Sequence, residues 1–233
     1  MRLAAAGAFP GMLTSVFLTH LHSDHVSDFN DVVTTRWVMS PVESPLDVVG
    51  PFGTDTFVAR TLAMLEDDIG YRIAHHDDLR WQPGVTVTEV EDGTVSERDG
   101  VRVIAAPTDH RPVHPTVGYR FEHDGAAVVV AGDTVPCEGL DRLSAGADVY
   151  VQTVVRRSLV ESIPMTRFQD ILDYHSSVED AGRTAARAGV GTLVLTHCVP
   201  PPAPGTEDEW IAEAAVHFDG EIVLANDLTS VTT

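Results

Sequence analysis

The densest chemistry in the sequence lies in Val16-Phe17-Leu18-Thr19-His20-Leu21-His22-Ser23-Asp24-His25. Val16 to Leu18 is an apolar run that reads as a buried strand, and three imidazoles and a carboxylate follow within six positions, with no Lys or Arg among them. His20 and His22 are two apart, so on an extended strand end they point to the same side and can hold one ion. Asp24 and His25 lie on the following turn and can face a second. Neutral imidazole and carboxylate suit zinc, manganese or ferrous iron better than calcium, which prefers oxygen ligands. A His-rich surface loop is the alternative, and four ligand-type side chains in six positions weigh against it.

Further side chains of the same kind stand where apolar runs stop. The loop Ala106 to Pro115 carries His110 and His114 ahead of a strand, Val117 to Glu122. Ala126 to Ala131 is a continuous apolar strand ending in Gly132-Asp133-Thr134, where Gly lets the backbone turn tightly; alone, such an Asp would be a helix cap. Thr192 to Thr196 is another apolar strand, followed by His197. His175 precedes an Ala-rich helix, Val178 to Ala188, with Ser177 as its cap, Glu179 and Asp180 in its first turn and Gly189 after it. His75 and His76 are adjacent, so at most one can reach a shared site, and a surface position is the better reading.

The string His20-x-His22-x-Asp24-His25 after a strand ending in Leu18-Thr19 resembles the signature of the metallo-β-lactamase superfamily, and its flanks resemble the ribonuclease Z and arylsulfatase-like branch. One departure is Asp28, where the family pattern carries Gly; Asp tolerates left-handed backbone better than most residues. The resemblance implies an α/β fold, the αββα sandwich, with a dinuclear site at strand ends. It implies that His20, His22 and His110 bind one metal, that Asp24, His25 and His197 bind the other, and that Asp133 bridges them. His110 is preferred to His114 because the ligand directly follows the strand in relatives with a His-x-Pro-Val loop, which leaves His114 to face substrate. Asp173-Tyr174-His175-Ser176-Ser177 resembles the His-Ser-Thr element of ribonuclease Z, with Ser177 in place of Thr. That likeness makes His175 a proton donor and Ser176 a substrate contact, while Asp24 joins the catalytic set beside its ligand role. The implied cofactor is two zinc ions, with manganese or ferrous iron as substitutes, and the implied nucleophile is a metal-bridging hydroxide.

The elements that must position these groups follow from pattern. Leu46 to Val49 reads as a strand closed by Gly50-Pro51-Phe52-Gly53-Thr54, and Asp55 to Ile69 has helical periodicity. The Gly50-x-x-Gly53 turn lacks the Lys and the length of a phosphate-binding loop. From Val85 the period changes to two, and Val85 to Val90 and Val101 to Ile104 read as antiparallel strands around a turn at Glu91-Asp92-Gly93. Asp148 to Val155 is a further buried strand, in which the neutral Gln152 and Thr153 stand where many relatives carry an acid. Residues 156–174 read as an Arg-bearing excursion facing substrate. Glu207 to Phe218 reads as a helix and Glu221 to Leu224 as the closing strand.

A chain of 233 residues supports one sizeable core, so residues 1–233 are read as a single metallo-β-lactamase domain. The resemblance begins inside the fold, which suggests an N-terminal truncation lacking the first strands. No apolar run reaches the ~18 residues of a membrane span, and two cysteines, Cys137 and Cys198, make no disulfide framework, so a cytoplasmic setting is expected. The balance of 35 Asp plus Glu against 15 Lys plus Arg weighs against a nucleic-acid partner, whose binding rests on phosphate neutralisation. Only 22 residues separate His110 from Asp133, too few for the tRNA-gripping arm that the resemblance leads one to look for.

The expectation from sequence is therefore a zinc-dependent hydrolase of small phosphodiester, sulfate or carboxylic esters. The small-molecule ester is its partner, and relatives often dimerise, which allows a homodimer. Ribonuclease Z, processing tRNA 3′ ends, is the alternative and needs a basic groove from Arg156, Arg157 and Arg167. A non-catalytic ligand-binding member of the fold is the second alternative.

Overall fold

A computed structural model describes residues 2–233, which fall into two units, one ending at Val90 and one running from Glu91 to Thr233. The first unit contains α1 (Arg2–Ala5), β1 (Ser15–Phe17), α2 (Ser23–Val26), α3 (Phe29–Met39), β2 (Leu46–Gly50), α4 (Thr54–Met64), α5 (Glu66–His75) and β3 (Val85–Glu89). Its sheet has the order β1-β2-β3 and is parallel throughout, with Val16 opposite Val48 and Val48 opposite Val87. Parallel neighbours need long crossovers, and α2 to α5 provide them. Leu18, Phe29, Val33, Leu46, Val48 and Val58 form the core of this unit.

Three details of the first unit bear on the site. Arg36 is 6% exposed, and its guanidinium donates to the backbone carbonyls of Leu13, Ser44 and Pro45, pinning the approaches to β1 and β2. Gly53 takes a left-handed φ of 104°, and the amides of Gly53 and Asp55 donate to Glu89 Oε1 at 2.7 and 3.1 Å. The acceptor of that turn is thus a side chain of the unit's own last strand, and the Gly50-x-x-Gly53 turn is structural. Asp28 has φ −88°, outside the left-handed region, because the chain passes through it directly into α3; the position does not need a glycine.

The second unit contains β4 (Gly93–Arg98), β5 (Val101–Pro107), β6 (Val117–His123), β7 (Ala126–Val130), α6 (Glu138–Ser144), β8 (Val149–Val155), α7 (Arg157–Glu161), α8 (Thr166–Gln169), α9 (Val178–Ala188), β9 (Thr192–Val199), α10 (Glu207–Ala215) and β10 (Glu221–Leu224). The sheet order is β10-β9-β8-β7-β6-β5-β4, antiparallel from β4 to β7 and parallel from β7 to β10. Asp124 and Gly125, with φ 50° and 86°, make the tight β6–β7 turn, which needs two left-handed residues. The cap of α9 is complete: Ser177 accepts from the Asp180 amide and the Asp180 carboxylate accepts from the Ser177 amide. Tyr150, Val178, Ala181, Ala185, Leu193, Leu195 and Trp210 are buried in one cluster between the sheet and α9–α10.

The structure departs from the sequence expectation in two places. The helical run from Asp55 breaks at Leu65, and α5 carries on to His75, so His75 and His76 are exposed at a helix end. Val85–Glu89 pairs parallel with β2, while the antiparallel partner of β5 is Gly93–Arg98. That strand escaped pattern reading because Thr94, Ser96 and Glu97 surround a lone Val95 on a sheet edge. Asp24 and His25 lie on a turn as expected, and that turn is helical, α2.

At Gly139 in α6 an added Cβ lies 1.9 Å from the Pro107 carbonyl oxygen, a backbone atom at the end of β5 that no rotamer change can move. Gly139→Ala is expected to lower the unfolding free energy by about 1–3 kcal/mol, read from urea denaturation. An unchanged midpoint would mean that α6 shifts without strain.

Candidate metal centre

In the first unit β1 ends just before the ligand-type residues, and α2 turns the last two of them back. His20 is fully buried. Its Nε2 lies 3.3 Å from His22 Nδ1, and its Nδ1 lies 3.1 Å from Thr19 Oγ1. Two nitrogens bound to one tetrahedral zinc at about 2.0–2.1 Å each sit about 3.3–3.4 Å apart, so this spacing fits a shared ion. The His20 and His25 rings are 4.1 Å apart between centroids, and His25 Nε2 lies 3.6 Å from Asp24 Oδ2. His22 thus stands beside His20 and Asp24 beside His25, the two pairs that the spacing leads one to expect.

In the second unit the central residue is Asp133, 3% exposed and directly past the end of β7. His175 Nε2 lies 3.2 Å from Asp133 Oδ2, and His110 Nε2 lies 3.8 Å from the same oxygen. Both imidazoles are held from behind. His110 Nδ1 is 2.8 Å from the Tyr174 carbonyl and His175 Nδ1 is 2.9 Å from the Ile171 carbonyl. A carbonyl only accepts, so each Nδ1 carries the proton and donates it backwards, leaving Nε2 to face Asp133.

The turn bearing Asp133 is fixed on both sides. The Gly132 carbonyl accepts from Thr153 Oγ1 at 3.0 Å and from Gln152 Nε2 at 3.4 Å, and Gln152 in turn accepts from the Tyr150 hydroxyl. Ser176 is 1% exposed, and its hydroxyl donates to the Thr134 carbonyl at 2.7 Å, so this side chain faces inward. The Asp109 amide donates to Thr134 Oγ1, which brings the His110 loop onto the same turn. Apart from Ser176, expected as a substrate contact, these braces had no role in the expectation from sequence. The neutral Gln152 and Thr153, noted only as departures, were their one signal.

The remaining candidates are more open. His114 is exposed, beyond the Asp109–Arg111 ion pair that holds the Asp109 carboxyl below its usual range. His197 is exposed inside β9 rather than past its end, and its φ of 45° marks a break in the strand. Burial pushes the Cys198 thiol up to about 11.

Residues 4–198 match the family described as the beta-lactamase superfamily domain. A protein named Ribonuclease Z from Mycolicibacterium gilvum is 56% identical over 232 residues, which are 99% of this chain and 81% of that one. Another of that name, from Mycobacterium bovis, is 53% identical over 99% of this chain and 83% of its own. The chain belongs to the ribonuclease Z family. Within the beta-lactamase superfamily that makes it a metal-dependent hydrolase. The short form of human tRNase Z superposes with a TM-score of 0.69 at 20% identity, covering 99% of this chain and 83% of that one. The metallo-beta-lactamase fold protein YhfI from Bacillus subtilis gives 0.68 at 21% identity over 94% and 76%. Both likenesses show the α/β metallo-β-lactamase fold.

Membership in the ribonuclease Z family corrects the expected partners. The sequence's acidity pointed to a small ester and against nucleic acid; relatives at 56% identity over nearly the whole chain carry a ribonuclease name. Net charge misleads here because charges more than about 8 Å apart are screened at physiological ionic strength, so a formal charge of −20 says little about one cleft. The supposed basic groove is also different in kind. Arg156 is only 16% exposed and is tied to Glu209 and Glu213 at 2.6 and 2.9 Å, and Arg157 faces Glu161 at 3.6 Å. Among the described residues no helix is long and apolar enough to cross a membrane.

Thr153→Val keeps shape and removes the hydroxyl that holds the Gly132 carbonyl. Its expected effect is a loss of about 1 kcal/mol in unfolding free energy, measured in urea. Stability equal to the parent would mean that the Gln152 amide takes over the carbonyl alone.

Proposed function

We propose that the chain is an endoribonuclease that cleaves precursor tRNA at its 3′ side, with both units acting as one catalytic domain. The observation that carries this reading is the 56% identity, over 99% of the chain, to proteins named Ribonuclease Z. In this reading His20, His22 and His110 would hold one zinc ion, Asp24, His25 and His197 would hold a second, and Asp133 would serve both. The donor set suits that metal: imidazoles and carboxylates, with His20, His110 and Asp133 buried. A bound zinc pair supplies Lewis acidity and activates water at neutral pH.

The chain's own groups do the rest. Ile171 and Tyr174 present backbone carbonyls that fix the tautomers of His175 and His110. With Nδ1 committed to Ile171, the protonated His175 has one further acidic position, Nε2, which faces the Asp133 carboxylate at 3.2 Å. That position is suited to deliver a proton to the leaving oxygen, a role imidazole fills near neutral pH. His114, exposed on its loop, is placed by this reading on the substrate side, and Ser176 supports the site from within by holding Thr134.

The test combines metal analysis with cleavage of a 3′-extended tRNA precursor. About two zinc ions per chain and endonucleolytic cleavage abolished by chelation are expected. Full metal loading with the precursor left intact, while bis-p-nitrophenyl phosphate is hydrolysed, would remove the ribonuclease assignment. A separate variant, His175→Ala, should lower kcat by about 10²-fold or more with bound zinc unchanged; loss of zinc in that variant would make His175 a ligand instead.

A further inference from the structure

Residues 156–174 run between β8 and His175 and contain α7, α8 and the 3-10 turn Asp170–Asp173 that continues α8. The exposed large apolar side chains of the second unit are Leu159, Met165, Phe168, Val216 and Leu228, so three of the five fall within ten positions of this stretch. Phe168, 41% exposed, is the only exposed Phe, Tyr or Trp of that unit among the described residues. Its neighbour Arg167 is equally unusual. The other arginines of the unit make ion pairs or hydrogen bonds, whereas Arg167 makes none among the described residues. In a chain with more than twice as many acids as bases, an uncompensated cation beside a solvent-facing ring is a selected surface rather than a leftover.

The stretch is joined to the site by backbone. Phe168 and Ile171 are three apart on one continuous helical segment, so they share a face and are separated by a rise of about 4.5–6 Å. The Ile171 carbonyl is the group that holds His175 Nδ1 at 2.9 Å. One nucleotide step spans a comparable distance, about 3.4 Å stacked and more when extended. The segment is also braced: the Phe168 amide donates to Met165 and the Gln169 side-chain amide donates to the Ile163 carbonyl. Residues 156–174 carry three Arg against Glu161, Asp170 and Asp173. Their neutrality makes stacking, rather than net charge, the main source of binding, and stacking on an aromatic ring tolerates any base.

We infer, resting on the ribonuclease reading above, that Phe168 is a stacking platform for the nucleobase flanking the scissile phosphate and that Arg167 pairs with an adjacent phosphate. The occupant is single-stranded RNA threaded past His175, not a helix and not a protein.

The experiment uses the zinc-loaded full chain, a 3′-extended tRNA precursor, the same precursor made abasic at each nucleotide flanking the cleavage position in turn, and bis-p-nitrophenyl phosphate. For Phe168→Ala, the ratio of kcat/KM on the precursor to that on the nitrophenyl ester should fall about tenfold. Phe168→Trp should restore that ratio to about its parent value, and one of the two abasic substrates should erase the difference between parent and Phe168→Ala. Arg167→Ala should raise KM for the precursor and lower the log–log salt slope by about 0.7, one single-strand phosphate contact. An unchanged ratio in Phe168→Ala, or a loss that persists on both abasic substrates, overturns the inference while leaving the ribonuclease reading intact. A parent enzyme that hydrolyses the ester and spares the precursor overturns both.

Discussion

A carboxylate removed from water is destabilised by several kcal/mol unless donors or opposite charge replace its hydration. Asp133, 3% exposed, is placed under that constraint by β7, and much of the second unit is arranged to meet it. His175 and His110 converge on one of its oxygens at 3.2 and 3.8 Å, each locked by a backbone carbonyl on its far side. Thr153 and Gln152 hold the carbonyl of the preceding Gly132. With each Nδ1 proton donated to a backbone carbonyl, the Nε2 lone pairs face the carboxylate and give it no donor, so a cation is what satisfies all three groups, and the same arrangement that folds the strand end prepares a metal site.

The location of this chemistry was legible because ligand-type side chains stand where apolar runs stop. Apolar runs ending in His20, Asp133 and His197 could be found by eye, and the cap of α9, from Ser177 to Gly189, lies where the Ser, the first-turn acids and the Gly predict. What stayed hidden is what side-chain patterns do not encode. The donors' partners at His110 and His175 are main-chain carbonyls of Tyr174 and Ile171, invisible to residue type. The edge strand Gly93–Arg98 has no apolar alternation because only part of it packs, and the break at Leu65 carries neither Gly nor Pro. Ser176 illustrates the converse error: its place beside His175 suggests a substrate contact, but its hydroxyl is turned inward to Thr134.

Charge was the least transferable feature. All fifteen basic side chains are arginines, and most are consumed in local pairs such as Arg120–Glu122, Arg142–Asp92 and Arg187–Asp141. Planar guanidinium groups favour such fixed geometries. A composition sum therefore counts cations that serve folding together with those open to a ligand, and it says nothing of which is which. The relatives named Ribonuclease Z, not the charge sum, overturn the expectation of a small ester, because a polyanion responds to the cations near its own binding surface rather than to the balance over the whole chain.

The division of labour within the second unit has a further consequence. Strand ends supply the ligand-type groups, but the segment that aims two of the imidazoles, α8 with its 3-10 extension, buries no side chain of its own. Its order comes from backbone hydrogen bonds and from the Gln169 amide on Ile163, interactions worth about 1 kcal/mol each. The sheet beneath it is secured by buried Tyr150, Leu193 and Leu195. The segment that orients the imidazoles is thus held by its backbone rather than by a buried core. Changes in residues 166–174 reach the His175 and His110 rings through the Ile171 and Tyr174 carbonyls alone, without altering either imidazole.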